Sequence, residues 1–260
     1  MYKFDELATG EFVRLVGNDD YWDTPAEAET FTFNAVPEDQ ARIAELQTGY
    51  ADLIYPVDPN DFETLENGDG TSVNVTESVR MEYLGFNTTV EPFDDPDVRR
   101  AIHIAIDKDL ILEEMLQNQG MVADTYLSPA VFGHSENLEG IEFDIEAAAE
   151  LLAEAGYEDG FTAEITAMDR TAIDIATFIQ SQLAELDIEL EIYQQESGAF
   201  LDYVANGEHE MFIGGWGTVT LDADYGLYPL LHTSNIGSSG NRTGYSNAEV
   251  DALLDEAREE

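Results

Sequence analysis

Hydrophobic residues along this chain switch repeatedly between the alternating spacing of strands and the wider spacing of helices. In the segment 29–34, Phe31 and Phe33 alternate with polar residues, which predicts a strand. Helical spacing is clearest in 169–186, at Ile173, Ala176, Ile179 and Leu183. The same reasoning predicts further strands at 11–16, 51–55, 72–76, 81–87, 162–167, 189–193 and 210–214, and further helices at 37–47, 59–66, 96–106, 108–117, 144–155, 197–206 and 247–260.

The order of these elements predicts an α/β protein with mixed sheets and flanking helices. Asp107 and Asp144 stand where helix N-caps are needed, which supports the predicted boundaries. No periodic pattern is present in 120–140, so we expect an irregular segment there. The glycine-rich run 214–217 is predicted to turn the chain after the strand at 210–214.

The composition provides enough apolar residues for a core but no long apolar run. Hydrophobic residues make up 43% of the 260 positions and aromatic residues 10%, which argues against disorder. No stretch approaches the roughly 18 apolar residues expected of a transmembrane helix. Met1-Tyr2-Lys3-Phe4 leads directly into a strand-like pattern, so no signal peptide is predicted at this end.

The net charge is extreme and is spread through the whole chain. Asp and Glu number 56 and Lys and Arg 10, which gives −46. Such self-repulsion destabilises a compact state at low ionic strength, whereas at about 1 M salt the screening length falls to roughly 3 Å. We therefore expect the protein of a halophile, the alternative being a cation-storing surface. Nucleic acid is excluded as a partner, because phosphate contacts need Lys and Arg.

The sequence carries no pattern typical of an enzyme. It contains no cysteine, which excludes disulfides, thiolate metal sites and cysteine nucleophiles. Serine-nucleophile and phosphate-loop motifs are absent, and carboxylates are too frequent for one pair to indicate a glycosidase. The histidines lack metal-ligand spacing: His103, His134, His209 and His232. We predict no catalytic residue, metal or cofactor, with a hydrolase kept only as an alternative.

One block has the most specific pattern in the chain. It reads Tyr83-Leu84-Gly85-Phe86-Asn87, then Pro92-Phe93-Asp94-Asp95-Pro96-Asp97-Val98-Arg99-Arg100-Ala101, then Ala105-Ile106-Asp107-Lys108. Five further segments lie before and after this block, at 2–22, 37–52, 148–156, 215–230 and 244–251. Their order along the chain matches that of the corresponding segments in one protein family. Together they resemble the extracellular solute-binding proteins of family 5, which serve peptide and nickel ABC importers.

The resemblance implies a fold and an organisation. Members of this family have a fold like that of type II periplasmic binding proteins, in which two lobes close on a ligand. Residues 1–83 would form part of lobe one, as its second pass, and residues 84–260 would form most of lobe two. Members are about twice as long as this chain, and its last helix reaches Glu260 without a cap, so we expect a C-terminally truncated fragment of a longer protein.

The resemblance also implies a function. The protein would be the capture subunit of an ABC importer, binding peptides or similar small solutes outside the cell. Its partners would be the solute and the permease subunits, and the fragment is expected to be monomeric. The full-length protein would lie at the extracellular face of the membrane on a lipid anchor. The alternative within the same fold is a sensory ligand-binding domain that signals without transport.

The candidate ligand site is the segment 214–225. Trp216 offers a flat apolar wall, the alternative being a core residue at a strand end. Gly217 and Thr218 follow where residues of relatives bond the ligand, and glycine lets the backbone approach a ligand closely. The remaining candidates are Tyr83, Ser197, Asp222, Asp224 and Tyr225.

Some of these positions depart from the family pattern. Val219 stands where peptide-binding relatives carry the aspartate that pairs with the ligand's amino group, and an unpaired buried charge is costly. Ser197 replaces an aromatic residue of relatives, which implies a different or roomier pocket. Asp222 and Asp224 could hold a cation or an amine, or Asp222 could cap a turn while Asp224 contributes surface charge.

Three asparagines and one arginine also need interpretation. Arg99 is predicted to pair with nearby acids and so fix the structure of its lobe. Asn87 could bond the backbone at the lobe junction, but it also begins a glycosylation sequon, as do Asn74 and Asn241.

Overall fold

The computed structural model of the chain describes residues 1–237 and 240–259 and divides into two compact units. The first unit is Met1–Val75 and the second is Thr76–Glu260. Glu260, predicted to end the last helix, lies outside the described residues. The lobe boundary proposed after residue 83 falls within a strand of the second unit, and the assignment to lobes stays a prediction.

The first unit is built on a three-stranded antiparallel sheet. Its strands are β1 (Tyr2–Ala8), β2 (Phe12–Gly17) and β3 (Thr30–Asn34), paired in chain order. Its helices are α1 (Asp39–Gln47) and α2 (Phe62–Glu66), the second entered through a 3-10 turn at Pro59–Asp61. Each helix buries one apolar side chain, Ile43 or Leu65. The elements predicted at 11–16, 29–34, 37–47 and 59–66 are confirmed.

Two strands predicted for this unit are wrong. The segments 51–55 and 72–76 form no strand, and neither pairs with another strand among the described residues. Leu53 is 75% exposed and Tyr55 is 86% exposed. Apolar alternation indicates only which side chains could be buried, whereas a strand also needs neighbours for its backbone hydrogen bonds.

The second unit contains a mixed four-stranded sheet in the order β4-β7-β5-β6. The strands are β4 (Arg80–Phe86), β5 (Thr162–Ala167), β6 (Glu189–Gln194) and β7 (Met211–Gly217). Strand β4 is antiparallel to β7, while β5 is parallel to both β6 and β7. The predicted mixed-sheet α/β architecture is confirmed.

Helices flank this sheet: α3 (Pro96–Ile104), α4 (Lys108–Glu114), α5 (Ile145–Glu154), α6 (Arg170–Leu183), α7 (Ser197–Ala205), α8 (Ala223–Leu231) and α9 (Ala248–Glu259). The predicted caps are present, since Asp107 accepts from the backbone N–H of Leu110 and Asp144 from that of Ala147. None of the helices within the described residues combines the length and apolar character needed to span a bilayer.

Strand β7 separates two apolar clusters. Met211 and Ile213 belong to the larger cluster, which includes all four apolar positions predicted for α6. Phe212 belongs to the smaller cluster, together with Phe200 and Val204 of α7. Successive side chains of a strand point to opposite faces, so β7 is covered on both sides up to the point where its glycines begin.

The structure differs from the predictions around the run 214–217. These residues continue β7 instead of turning, because they pair with β4 as far as Arg80. Helix α8 is absent from the predictions, since Gly226 and Pro229 both disfavour a helix interior. Asp222 caps this helix by accepting from the backbone N–H of Asp224.

Contrary to the prediction, Arg99 pairs with no acid among the residues that the structure describes. Its Nη1 donates to the backbone carbonyls of Phe93, at 2.6 Å, and Asp94, at 3.1 Å. The guanidinium therefore ties the loop before α3 to the first turn of that helix. Backbone carbonyls outside helices and strands also need hydrogen-bond donors. The sequence pattern does not show where such carbonyls lie, so it does not predict this role of Arg99.

Candidate functional site

A pocket of about 250 Å³ lies in the second unit, where β7 reaches its glycine-rich end. Its walls come from β4, β7, α7, α8 and the segments after β5 and before α9. The residues that line it are Arg80, Met168, Ser197, Phe200, Leu201, Gly215, Trp216, Gly217, Tyr225 and Arg242. The lining combines aromatic and aliphatic side chains with polar and charged groups, and small-molecule sites likewise join apolar walls to a few polar groups.

The pocket rests on an aromatic floor. Phe200 lines the pocket and packs against Phe212, with ring centroids 6.3 Å apart. Phe212 is fully buried and also meets Tyr83 edge to face at 5.7 Å. The Phe212 ring occupies the space where a Cβ on Gly85 would lie, 2.3 Å from the nearest ring atom. Only glycine at position 85 lets the ring lie this close to β4, which fixes the floor.

Trp216 forms one wall and is fixed by α8. Its indole Nε1 donates to the backbone carbonyl of Tyr225 at 2.8 Å, and the two rings lie 5.3 Å apart. Since this hydrogen bond satisfies the polar end of the indole, its apolar face is left toward the pocket. Trp216 is only half-buried, so it is a wall at a strand end and not a core residue.

The structure brings together only some of the predicted site residues. Trp216, Gly217, Tyr225 and Ser197 all line the pocket. Thr218 does not, because its side chain is fully buried, and its hydroxyl has no hydrogen-bond partner among the described residues.

The two aspartates of the segment lie outside the pocket and hold α8. Asp222 is the N-cap of this helix. Asp224 stands in its first turn, where a negative charge is favoured, and pairs with Arg258 of α9 at 2.8 Å. Of the two alternatives left open for these residues, the structure favours capping and surface pairing over a cation or amine site.

Tyr83 lies beside a second, much smaller cavity of about 10 Å³. Tyr126 and Arg242 also line that cavity. Burial raises the pKa of Tyr83 to about 12, against the opposing effect of Arg242. Tyr83 is therefore a neutral phenol that supports the floor through Phe212 rather than a wall of the larger pocket.

Arg80, Met168 and Arg242 also line the pocket, and the sequence pattern does not identify them as site residues. They come from three separate segments that only the folded sheet brings together. The one signal in the sequence that could have indicated the two arginines is the rarity of basic residues, since the chain has ten Lys and Arg in total.

Val219 carries no charge to the pocket. Its side chain is 73% exposed in the turn between β7 and α8 and is not among the lining residues. None of the described lining residues is Asp or Glu. The nearby carboxylate of Glu82, 2.6 Å from where a Cβ on Gly215 would lie, is paired with Arg80.

Two of the three glycosylation sequons are inaccessible in the folded chain. Asn87 is 2% exposed and its side-chain amide donates to the carbonyls of Gly207 and His209, so it bonds the backbone as predicted. Asn241 is 1% exposed and donates to the carbonyl of Tyr245. Only the sequon at Asn74 has an exposed asparagine.

The described residues form no cluster of His, Asp and Glu that could hold a metal ion. The histidines instead have separate surroundings. His232 stacks on Tyr228 at 4.3 Å and lies 3.5 Å from Asp255. His209 is 1% exposed, and neither ring nitrogen has a hydrogen-bond partner among the described residues.

The buried His209 should make the stability of the chain depend on pH. Burial lowers its pKa from 6.5 to about 4. Between these values the unfolded chain binds a proton that the folded chain does not, so this group reduces stability as the pH falls from 7 towards 4. From pH 7 to 5, the unfolding free energy of the wild type should fall by about 2 kcal/mol relative to a His209→Phe variant.

Denaturant titrations of both proteins in molar KCl would measure this difference. The carboxylates titrate in both proteins, so their contribution cancels in the comparison. Unfolding free energies that change in parallel between pH 7 and 5 would show that His209 is not held neutral by burial.

A family model described as "Bacterial extracellular solute-binding proteins, family 5 Middle" matches residues 1–238. Heme-binding protein A of Haemophilus influenzae is 30% identical over 262 residues, which cover 98% of this chain and 48% of that protein. The chain spans about half the length of the curated relatives it matches.

Two solved structures are similar in both sequence and fold. The periplasmic binding protein DppA from Helicobacter pylori, in complex with the peptide STSA, has a TM-score of 0.93 and 30% identity, covering 98% of this chain and 50% of that one. The dipeptide binding protein from Pseudoalteromonas sp. SM9913, in complex with Met-Leu, has a TM-score of 0.92 and 29% identity, covering 98% and 52%.

Proposed function

The chain belongs to the bacterial extracellular solute-binding proteins of family 5, and from that premise we propose that the whole protein captures a small solute outside the cell for an ABC importer. The observation that carries the proposal is the pocket walled by Trp216, which has an apolar face and accessible backbone but no catalytic grouping. Such a site can bind and release a solute without covalent chemistry.

We propose that Trp216, Gly217, Tyr225 and Ser197 contact the solute. Trp216 supplies an apolar wall whose position is fixed by its hydrogen bond to Tyr225. Glycine at 217 leaves the backbone of β7 open to the pocket. Thr218, Asp222, Asp224 and Tyr83 support these residues from outside the pocket.

The pocket would be one half of a complete site. We propose that residues 1–83 belong to lobe one and residues 84–260 to most of lobe two, as the half-length match to relatives suggests. A ligand held by lobe two would then be covered by lobe one, and hinge closure would report occupancy to the permease subunits. Peptides are the first candidates for the solute, since both similar structures hold one.

The surroundings of the whole protein follow from the same proposal. It would act at the extracellular face of the membrane, held there by a lipid anchor, in a medium of high salt. A surface with 56 acidic residues remains hydrated under such conditions, and screening removes most of its self-repulsion.

A panel of solutes would test the proposal on the whole protein in about 2 M KCl, where charge repulsion is screened. The panel comprises dipeptides, longer peptides, haem, a nickel–histidine complex and oligosaccharides. At least one should raise the unfolding temperature, and calorimetry should give a 1:1 complex. The same solute should bind about tenfold or more weakly to a Trp216→Ala variant, since the apolar wall is lost.

Trp22 provides the matched control, because it is 84% exposed in the first unit. Trp22→Ala should leave affinity unchanged. A protein that responds to no solute of the panel, or whose binding is equally affected by both tryptophan substitutions, would contradict the proposed function.

A further inference from the structure

Helix α8 carries a proline in its interior, beside the wall of the pocket. In an α-helix the N–H of each residue bonds the carbonyl four residues earlier, so position 229 corresponds to the carbonyl of Tyr225. Pro229 has no N–H to donate, and a proline ring also crowds the carbonyl at that position. The helix therefore lacks the bond that would normally engage the Tyr225 carbonyl from within.

The same carbonyl is the acceptor that holds Trp216. The indole Nε1 donates to it at 2.8 Å, and Trp216 lines the pocket whereas Pro229 does not. An indole N–H that is partly removed from water needs such an acceptor. A residue without a donor thus stands four positions after the carbonyl on which the pocket wall depends.

Contacts with α9 hold α8 in helical form although it contains a proline. Asp224, Tyr228 and His232 are spaced four residues apart, which places them on one face of the helix. Arg258 of α9 pairs with Asp224 at 2.8 Å and lies 3.7 Å from the centre of the Tyr228 ring. On the same face, His232 stacks on Tyr228 and lies 3.5 Å from Asp255 of α9. These contacts offset the low helix propensity of proline.

We propose that Pro229 is a positioning residue of the pocket, which keeps the carbonyl of Tyr225 open to the indole of Trp216 and so fixes the wall against which the solute packs. This role rests on the proposed function and adds a residue outside the pocket that sets its affinity. An N–H at position 229 would compete for the carbonyl and, without the proline ring, draw it back into the helix. The indole would then share or lose its acceptor.

One substitution should therefore have opposite effects on stability and on binding. Alanine is much better than proline in a helix interior, so Pro229→Ala should raise the midpoint of denaturant unfolding or leave it unchanged. Its affinity for a solute should nevertheless fall about threefold to tenfold, the ratio that corresponds to one hydrogen bond. A residue that only supports the fold would lower both quantities together.

Nuclear magnetic resonance of the whole protein, with isotope-labelled tryptophan in about 2 M KCl, measures the hydrogen bond directly. The Trp216 indole resonance is the one that disappears in a Trp216→Phe variant. In Pro229→Ala this resonance should move upfield and its proton should exchange faster with deuterated water, since a hydrogen-bonded proton is protected. Pro25→Ala is the matched control, because Pro25 is exposed in the first unit, and it should leave the resonance and the affinity unchanged.

A double-mutant cycle shows whether Pro229 acts through the indole. Trp216→Phe keeps an aromatic ring but has no N–H. Pro229→Ala should therefore weaken solute binding in the wild-type protein and have no further effect in the Trp216→Phe background. Isothermal titration calorimetry with a solute of the panel that binds would give the four affinities. An equal loss in both backgrounds would overturn the inference.

The resonance is measured without solute, so its result is separate from that of the proposed function. An unchanged indole resonance in folded Pro229→Ala overturns the inference and leaves solute capture intact. A Pro229→Ala variant that does not fold, or is less stable than Pro25→Ala, also overturns it, because the proline would then serve the fold. A resonance that moves as expected in a protein that binds no solute supports the positioning of Trp216 by Pro229 and counts against solute capture.

Discussion

Lowering KCl from about 2 M to below about 0.5 M should remove the folded signal of this chain, because the screening length grows as salt falls. The chain carries a net charge of −46, and its acids are mostly exposed rather than paired. Self-repulsion of the compact state therefore increases on dilution, while the unfolded chain separates its charges and gains stability relative to the fold. Far-ultraviolet circular dichroism across a KCl series would measure the loss.

An uncharged osmolyte provides the control for this experiment. Sucrose at the same osmolality strengthens burial without screening charge, so it should not replace KCl. Unchanged circular dichroism at low salt would contradict the interpretation of the acidic surface as an adaptation to high salt. Full recovery of the folded signal in sucrose would also contradict this interpretation, since charge screening would then not be the relevant effect.

Replacing Phe212 by alanine should cost about 3–5 kcal/mol of unfolding free energy, the range for deleting a buried phenylalanine ring. Phe212 is fully buried: it meets Tyr83, Phe200 and His209, and its ring fills the space above Gly85. A glycine beneath the ring has no side chain with which to fill the cavity. Because Phe200 lines the pocket, the same substitution should also weaken solute binding.

Phe132 is the matched control, since its side chain is 80% exposed. Phe132→Ala should change the unfolding free energy by no more than about 0.5 kcal/mol, as is usual for surface positions. Denaturant titrations in molar KCl would compare the two variants. Equal losses at both positions would show that the aromatic floor is not a packed core.

Elements whose signals are local could be predicted from the sequence. Asp107, Asp144 and Asp169 each accept a backbone N–H at a helix start that the pattern indicated. The apolar positions of α6 pack into the larger core as their spacing predicts. These features depend on contacts within one turn or one face, so neighbouring residues determine them.

Elements that depend on distant partners could not be predicted. Helix α8 contains Gly226 and Pro229 and is stabilised by its cap and by packing against α9 through the pair Asp224–Arg258. The run 214–217 has the composition of a turn, yet pairing with β4 keeps it extended. Tertiary contacts outweigh intrinsic propensity in both cases.

The residues of the candidate site also divide into those with a local signal in the sequence and those that only the fold brings together. Trp216 was identifiable because a family pattern surrounds it, and the hydrogen bond to Tyr225 explains its position. Arg80 and Arg242 lie in segments without such a pattern, and only the fold places both at one pocket. The sequence therefore indicates the apolar wall of the pocket at Trp216 but not the two arginines that line it.

Small-angle X-ray scattering of the whole protein, with and without a solute shown by calorimetry to bind, tests the central claim most directly. If the protein captures solutes by closing two lobes, saturation should lower its radius of gyration, and a folded Trp216→Ala variant should need a correspondingly higher solute concentration for the same change. A radius that stays constant when the wild-type protein is saturated would contradict capture by closure.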